Sequence, residues 1–349
     1  MTVPYLVLDG TEVANSARTM AYLRSFMPMT VQARSDPNCS CPAITSAFGS
    51  PYSDSAPWYD SSRPESGNFY GLLLDSIVIP PILTRPAKPR ANGGQSLGLL
   101  VPKGRTMQCS GAMYGASEMS LEYGTRWLAK VLSGDCEDPC GLSEACILPA
   151  CPDSGQPARW RHLFGAGLID GPTVATVAGS NGCIFRTVAF QIGAEQPYLF
   201  ADPAVLLNQG LLANTNTCGL ASTTQWIGDS TTRITLTTGG PNYVTGLQIS
   251  AAPLRANETC PSPSSAEISF TIAQVPPGAK LVIDGTTRTV QVLEMNSGLQ
   301  IGGIDIISTG GVPMSWIDIG PCARACICVR AATVNANSTI KIESIDREL

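Results

Sequence analysis

The sequence predicts a mainly β protein with a few helices, arranged in two domains. Three observations carry that prediction. At 349 residues the chain exceeds the roughly 250–300 at which a single hydrophobic core stops growing. Its 34 glycines and 27 prolines punctuate short alternating apolar runs, the pattern of strands joined by turns. And 44% of the residues are hydrophobic but only 14% charged. That is too apolar for a disordered chain and low in charge for a fully solvated surface, so part of the surface is expected to lie under other subunits.

The formal net charge of −5 argues against specific nucleic-acid binding, whose signature is a strongly basic patch. No run approaches the roughly 18 apolar residues of a membrane span. The longest candidate, "GLLLDSIVIPPIL", is broken by Asp75 and by Pro80-Pro81. "MTVPYLVLDG" lacks the basic and apolar regions of a secretory leader, so the chain is expected to be made in a cytosol.

Taken in order, residues 11–25 read as an amphipathic helix with Val13, Ala17, Met20 and Ala21 on one face, Thr11 as cap and Pro28 as stop. Residues 28–68, rich in Pro, Ser and Asp, read as an extended arm. Residues 69–83 are strand-like, and 80–104 form a second arm carrying Arg85, Lys88 and Arg90 among prolines. These three cations suit contact with an acidic neighbour or nucleic acid, or simply a solvated loop. "GRTMQCSGAMYG" (104–115) alternates as a strand does. "SEMSLEYGTRWLAKVLSG" (117–134) is the clearest helix: Ser117 caps it, Glu118 suits the positive end of the dipole, and Gly134 follows its last turn. Leu121, Gly124 and Leu128 share its apolar face, and the small Gly124 suggests close packing on a sheet. Residues 183–200 return to strand. From about 201 short strands succeed one another, among them a hairpin over 267–292 with Asp284-Gly285 as a two-residue turn, the pattern of a β-sandwich. The domain break is therefore placed near 200, giving domains 1–200 and 201–349, with a cysteine-rich insertion at 135–160.

Candidate chemistry is thin. "VLDGT" and "VIDGT" place Asp9 and Asp284 in similar settings, but the order is not the Asp-Thr-Gly of aspartic proteases, and a turn already explains Asp284. Gly228-Asp229-Ser230 resembles an esterase signature, yet a nucleophilic serine needs a base, and the single histidine, His162, precedes it. "GAGLIDG" (165–171) is followed by Pro172 and a strand pattern where a phosphate-binding loop needs a helix. No catalytic residues and no cofactor are expected.

The cysteines ask a sharper question. Cys136, Cys140, Cys146 and Cys151 fall within sixteen residues of a chain that holds 13 cysteines. Their spacings fit structural zinc irregularly; disulfides formed after release from the cell and inert thiols are the other readings. The odd count leaves at least one cysteine unpaired within the chain.

Four segments, in this order, resemble the distal tail or minor tail proteins of long-tailed bacteriophages of actinobacteria: "GRTMQCSGAMYGASEMSLEYGTRWLAKVL", "RTVAFQIGAEQPYLF", "VPPGAKLVIDGTTRTV" and "WIDIGPCARACICVRA". The opening "VLDGTEVANSARTMAYLRS" is similar to the start of such proteins. The cysteine segment departs from the family pattern, and Gly320-Pro321-Cys322 stands where a Pro-Gly-x-Asn turn is usual. The resemblance implies an N-terminal ring-forming β domain with one packed helix and a C-terminal galectin-like sandwich. It implies a virion protein of the tail tip, in a ring of six or three copies, whose partners are the tail tube protein, the tail-tip hub and other minor tail proteins. On that reading Arg85, Lys88, Arg90, Leu121 and Trp127 are interface candidates. The alternative is a carbohydrate-binding module for a host-wall glycan, with Trp226 beside Asp229, or Trp316 beside Asp318, as the sugar platform.

Overall fold

The computed structural model describes residues 5–26, 48–80, 83–84, 87–89, 95–97, 101–102, 104–134, 143–148, 159–177, 184–222, 229–254, 258, 260, 268–303, 307–308, 316–320 and 323–348. The chain is mainly β, and its described residues include two α-helices. It divides into two compact units, Met1–Leu199 with Leu349, and Phe200–Glu348.

The first unit is built on one large antiparallel sheet, with two two-stranded ladders beside it in the chain. Its strands are β1 (Tyr5–Leu8), β2 (Thr11–Asn15), β3 (Phe69–Val78), and, after the short pieces β4 (Leu83–Thr84), β5 (Ala87–Pro89), β6 (Gln95–Leu97) and β7 (Val101–Pro102), β8 (Arg105–Gly115), β9 (Ser143–Ile147), β10 (Arg161–Val177) and β11 (Ile184–Ala194). The spatial order is β2-β1-β9-β10-β11-β8-β3. The sheet curls far enough that β2 and the helix α1 (Ser16–Phe26) also meet β3. Inside the curl lie Leu6, Phe69, Leu72, Met107, Met113, Val188, Phe190 and Ile192, all nearly inaccessible.

The helix α2 (Glu118–Leu132) closes this core with Leu121, Leu128 and Leu132. Its N-terminus has a reciprocal cap: Ser117 Oγ accepts from Ser120 N at 3.2 Å, and Ser120 Oγ accepts from Ser117 N at 3.1 Å. Gly124 leaves room for the Phe69 ring. A Cβ at 124 would sit 2.3 Å from the Phe69 ring.

Three sequence expectations need correction in this unit. The first helix starts at Ser16, not Thr11. Asp9 and Gly10, both at positive φ, form a tight turn that folds Thr11–Asn15 back onto β1 as a strand. Asn15, not Thr11, caps the helix, its Oδ1 accepting from Arg18 N at 3.2 Å. The arm over 28–68 falls partly outside the described residues. From 48 on it is no free arm but a compact loop pinned by Trp58, which is 2% exposed and packs edge-on against Tyr22, Phe69 and Trp127. The Trp58 indole donates to Phe69 O at 2.8 Å, and Tyr123 Oη donates to Trp58 O at 2.6 Å. The segment 135–160 is not simply an insertion, since β9 within it lies between β1 and β10. Among the described residues of the second arm, β4 pairs with β7 and β5 with β6.

After β12 (Leu199–Phe200) the second unit is a two-sheet sandwich. Its strands are β13 (Ala204–Gly210), β14 (Thr217–Ser222), β15 (Asp229–Thr237), β16 (Val244–Leu254), β17 (Ile268–Val275), β18 (Ala279–Asp284), β19 (Thr289–Glu294), β20 (Gln300–Gly302), β21 (Ile307–Ser308), β22 (Asp318–Ile319), β23 (Arg324–Arg330) and β24 (Thr339–Glu348). One sheet runs β13-β24-β15-β18-β19-β20, with β22 also on β15; the other runs β14-β23-β16-β17-β21. Alternate residues of both sheets, among them Ile234, Leu236, Ile249, Ile272, Ile327, Val329, Ile340 and Ile342, make a core of β-branched and aliphatic side chains. The expected hairpin is present as β18–β19, but its turn has four residues. Asp284 faces Thr289 as the last strand pair, and Gly285–Arg288 form the connection.

Candidate functional site

The motifs weighed for catalysis have structural roles. Asp9 belongs to the β1–β2 turn. Asp284 accepts from Arg233 Nε at 2.7 Å and from Thr286 N at 2.8 Å, which fixes its own turn. "GAGLIDG" lies inside β10. Ser230 Oγ donates to the Asp346 carboxylate, while His162, on β10 of the first unit, meets Glu144 of β9 at 2.5 Å.

Among the interface candidates, Lys88 is exposed on β5, and Arg85 and Arg90 lie outside the described residues. Leu121 is 0% exposed within its own unit, so it cannot face a neighbour unless that core opens. Trp127 is half-buried against Trp58 and Phe69, at 5.6 and 6.2 Å between ring centroids. On the exposed side of α2, Glu118 and Glu122 hold Arg186 of β11 at 2.9 and 3.3 Å, tying helix to sheet. Arg186 and Arg126 hold the Glu122 carboxyl below the usual carboxylate range.

Of the sequence-local cysteines, Cys136, Cys140 and Cys151 lie outside the described residues. Cys146 sits on β9 directly opposite His162 and carries a free thiol. Cys109, on β8, is also free, and burial pushes its thiol up to about 12.

The sugar-platform candidates meet different fates. Trp226 lies outside the described residues. Trp316 packs against the sandwich core, with the Arg288 guanidinium 5.8 Å from its ring centroid. The two acidic residues offered with these tryptophans are brought together by a residue not picked out from the sequence. Arg347, 4% exposed, forks onto Asp229, with one contact at 2.6 Å, and reaches Asp318 at 3.0 Å; Arg288 meets Asp318 from the other side at 3.0 Å. Buried and bidentate, this is a structural clamp between β15, β22 and β24.

The most concentrated chemistry is on the second sheet of the sandwich, on the face turned away from the core. Ala325, Ile327 and Val329 of β23 point inward, so Arg324, Cys326, Cys328 and Arg330 point outward. Cys328 stands opposite Cys218 of β14 and is bonded to it; Cys326 is bonded to Cys260. Cys326 and Cys328 are 1% and 5% exposed although they face away from the core. Beside them a pocket of about 200 Å3 is lined by Asn216, Gln248, Ser250, Phe270, Thr271, Cys328 and Arg330. The sequence does not announce the Cys218–Cys328 pair, whose members lie 110 residues apart. The usable signal was the Cys-x-Cys spacing, which puts two sulfurs on one face of a strand.

No protein-family model and no curated protein matches the sequence. Among solved structures the chain is similar to the SPP1 Dit (gp 19.1) protein, described as a paradigm of the hub adsorption apparatus in Gram-positive infecting phages. That likeness covers 100% of both chains at 10% identity and a TM-score of 0.48. Two fructofuranosidase structures from Schwanniomyces occidentalis, complexed with fructose and with fructosyl-erythritol, cover 76% of this chain and 59% of theirs. Their identities are 9% and 10%, and their TM-scores 0.20 and 0.19. At these scores and identities the likenesses say nothing of function.

Proposed function

We propose that the chain is a structural component of a bacteriophage tail tip, a ring subunit that joins the tail tube to the distal tip and baseplate proteins and acts without enzymatic turnover. The observation that carries this reading is where the four family-like segments fall. In order they are β8 with α2, β11 running into β12, the β18–β19 hairpin, and β22 with β23. The resemblance thus follows the framework of both units rather than a stray loop. The first unit is the ring-forming one, with six or three copies closing by a head-to-tail interface. Its partners are further copies of itself, the tail tube protein, the tail-tip hub and other minor tail proteins, and its place is the virion. Native mass spectrometry and electron microscopy of the purified chain test this, alone and with the tail tube protein as template. Closed rings of three or six are expected; a chain that stays monomeric under both conditions overturns the reading.

A second reading, a module that binds host-wall glycan, is favoured by the pocket beside Cys328. Uncharged hydrogen-bonding groups with a single guanidinium suit sugar hydroxyls. Pull-down on host cell-wall polysaccharide, lost in Gln248→Ala, separates a binder from a scaffold.

A further inference from the structure

Cys218, Cys260, Cys326 and Cys328 form a four-sulfur cluster on the outer face of the second sandwich sheet. The sulfurs of Cys218, Cys260 and Cys326 all lie within 4.8 Å of one another, and Cys326 Sγ is 3.5 Å from Cys328 Sγ. A tetrahedral zinc thiolate, with Zn–S near 2.3 Å, requires sulfurs about 3.8 Å apart. Three of the sulfurs are thus gathered within the reach of one metal ion and the fourth adjoins Cys326, so that breaking the two S–S bonds would let all four open toward the corners of one metal site. We propose that in the reduced chain these four cysteines bind one zinc-class cation as a tetrathiolate, and that oxidation exchanges the metal for the two disulfides.

The surroundings fit both states. Cys218 and Cys328 come from directly opposed strand positions, Cys326 lies two residues along the same face, and Cys260 reaches in from the chain preceding β17. Three of the four cysteines thus stand on paired strands, and the four come from three separate parts of the sequence. Zinc with four thiolates carries two negative charges. Arg324 and Arg330, on the same face of β23, bracket the cysteines and offset that charge. Loading converts four thiols and one Zn2+ into the tetrathiolate and releases four protons. Two molecules of a disulfide oxidant, such as glutathione disulfide, reverse it. Both oxidant S–S bonds break, two Cys–Cys bonds form, four glutathione thiols take up four protons, and Zn2+ leaves. The proposal is independent of the tail-tip reading.

The test uses the full chain, reduced and then exchanged into buffer with ZnCl2 or CoCl2 as probe. The reduced chain should take up one metal per chain at this cluster, and the cobalt form should show thiolate charge-transfer absorption and tetrahedral d–d bands. Glutathione disulfide should release that metal as the chain loses four hydrogens in mass. The pair Cys326→Ser with Cys328→Ser should lower uptake by one equivalent, whereas Cys146→Ser should leave this equivalent in place. Should the double variant fail to fold, alkylation of the wild-type chain decides. Cys218 and Cys260, half-buried and exposed, should resist iodoacetamide with zinc and react once a chelator is added. Alkylation that ignores zinc, uptake that the double variant leaves unchanged, or a reduced chain that takes up no metal would each overturn the proposal.

Discussion

The two units are both antiparallel β structures, yet they are held together differently. The first is built around rings. Trp58 is packed by Tyr22, Phe69 and Trp127, and the two described helices pack against strands of the sheet. Its described cysteines, Cys109 and Cys146, are free. The second has two aromatics, Phe200 and Phe270, among its large buried side chains and otherwise relies on isoleucine, valine and leucine between two sheets. It adds two covalent cross-links on an outer face. The difference teaches that one chain can stabilise neighbouring β units by separate means, so a change of conditions can strike one and spare the other.

The strongest way to break that comparison is reduction. In the chain-entropy account a cross-link that closes a loop of about 100 residues is worth on the order of 4–5 kcal/mol. With reductant and chelator present, calorimetry should show the transition of the second unit falling steeply while that of the first stays put. A joint fall would sink the idea of separate stabilisation. The converse experiment is Trp58→Ala, which removes the ring that three others pack on and its indole bond to Phe69 O. A loss of about 3–5 kcal/mol is expected, confined to the transition that reduction leaves alone. The smallest change is Gly124→Ala. On helix propensity alone it should stabilise by roughly 1 kcal/mol. The Phe69 ring at 2.3 Å reverses the sign, and a net loss of about 1–3 kcal/mol is expected in denaturant titration of the first unit. A gain would mean that Phe69 moves aside easily.

What could be read in the sequence was local. The helix α2 was legible end to end, because its cap, apolar face and terminating glycine all lie within eighteen residues. The β18–β19 hairpin was legible from its alternation, although its turn was longer than Asp-Gly implied. The α1 boundary was misread because Thr11 looks like a cap until Asp9-Gly10 is seen to turn the chain. The loop over 48–68 looks solvent-bound in composition, and only the distant contact of Trp58 with Phe69 and Trp127 makes it part of the core. β9 is five residues among prolines and cysteines, with too little pattern to announce a central strand. The candidate sites were the least legible. Cys218 meets Cys328 across 110 residues, and Arg347 meets Asp229 across 118, separations over which periodicity carries no information. The cysteines that drew attention by crowding in sequence are not those that the described structure brings together.

The position of β24 in its sheet bears on how the protein comes off the ribosome. It is an interior strand, paired with β13 on one side and β15 on the other, yet both of those precede it by more than a hundred residues of chain. The first unit has all its sheet strands once residue 194 has emerged and can settle while synthesis continues. The second cannot join β13 to β15 until β24 arrives, and until then it shows bare backbone edges to its surroundings. Nascent chains stalled between those points would carry one finished unit and one adhesive one, which is where a chaperone would be needed.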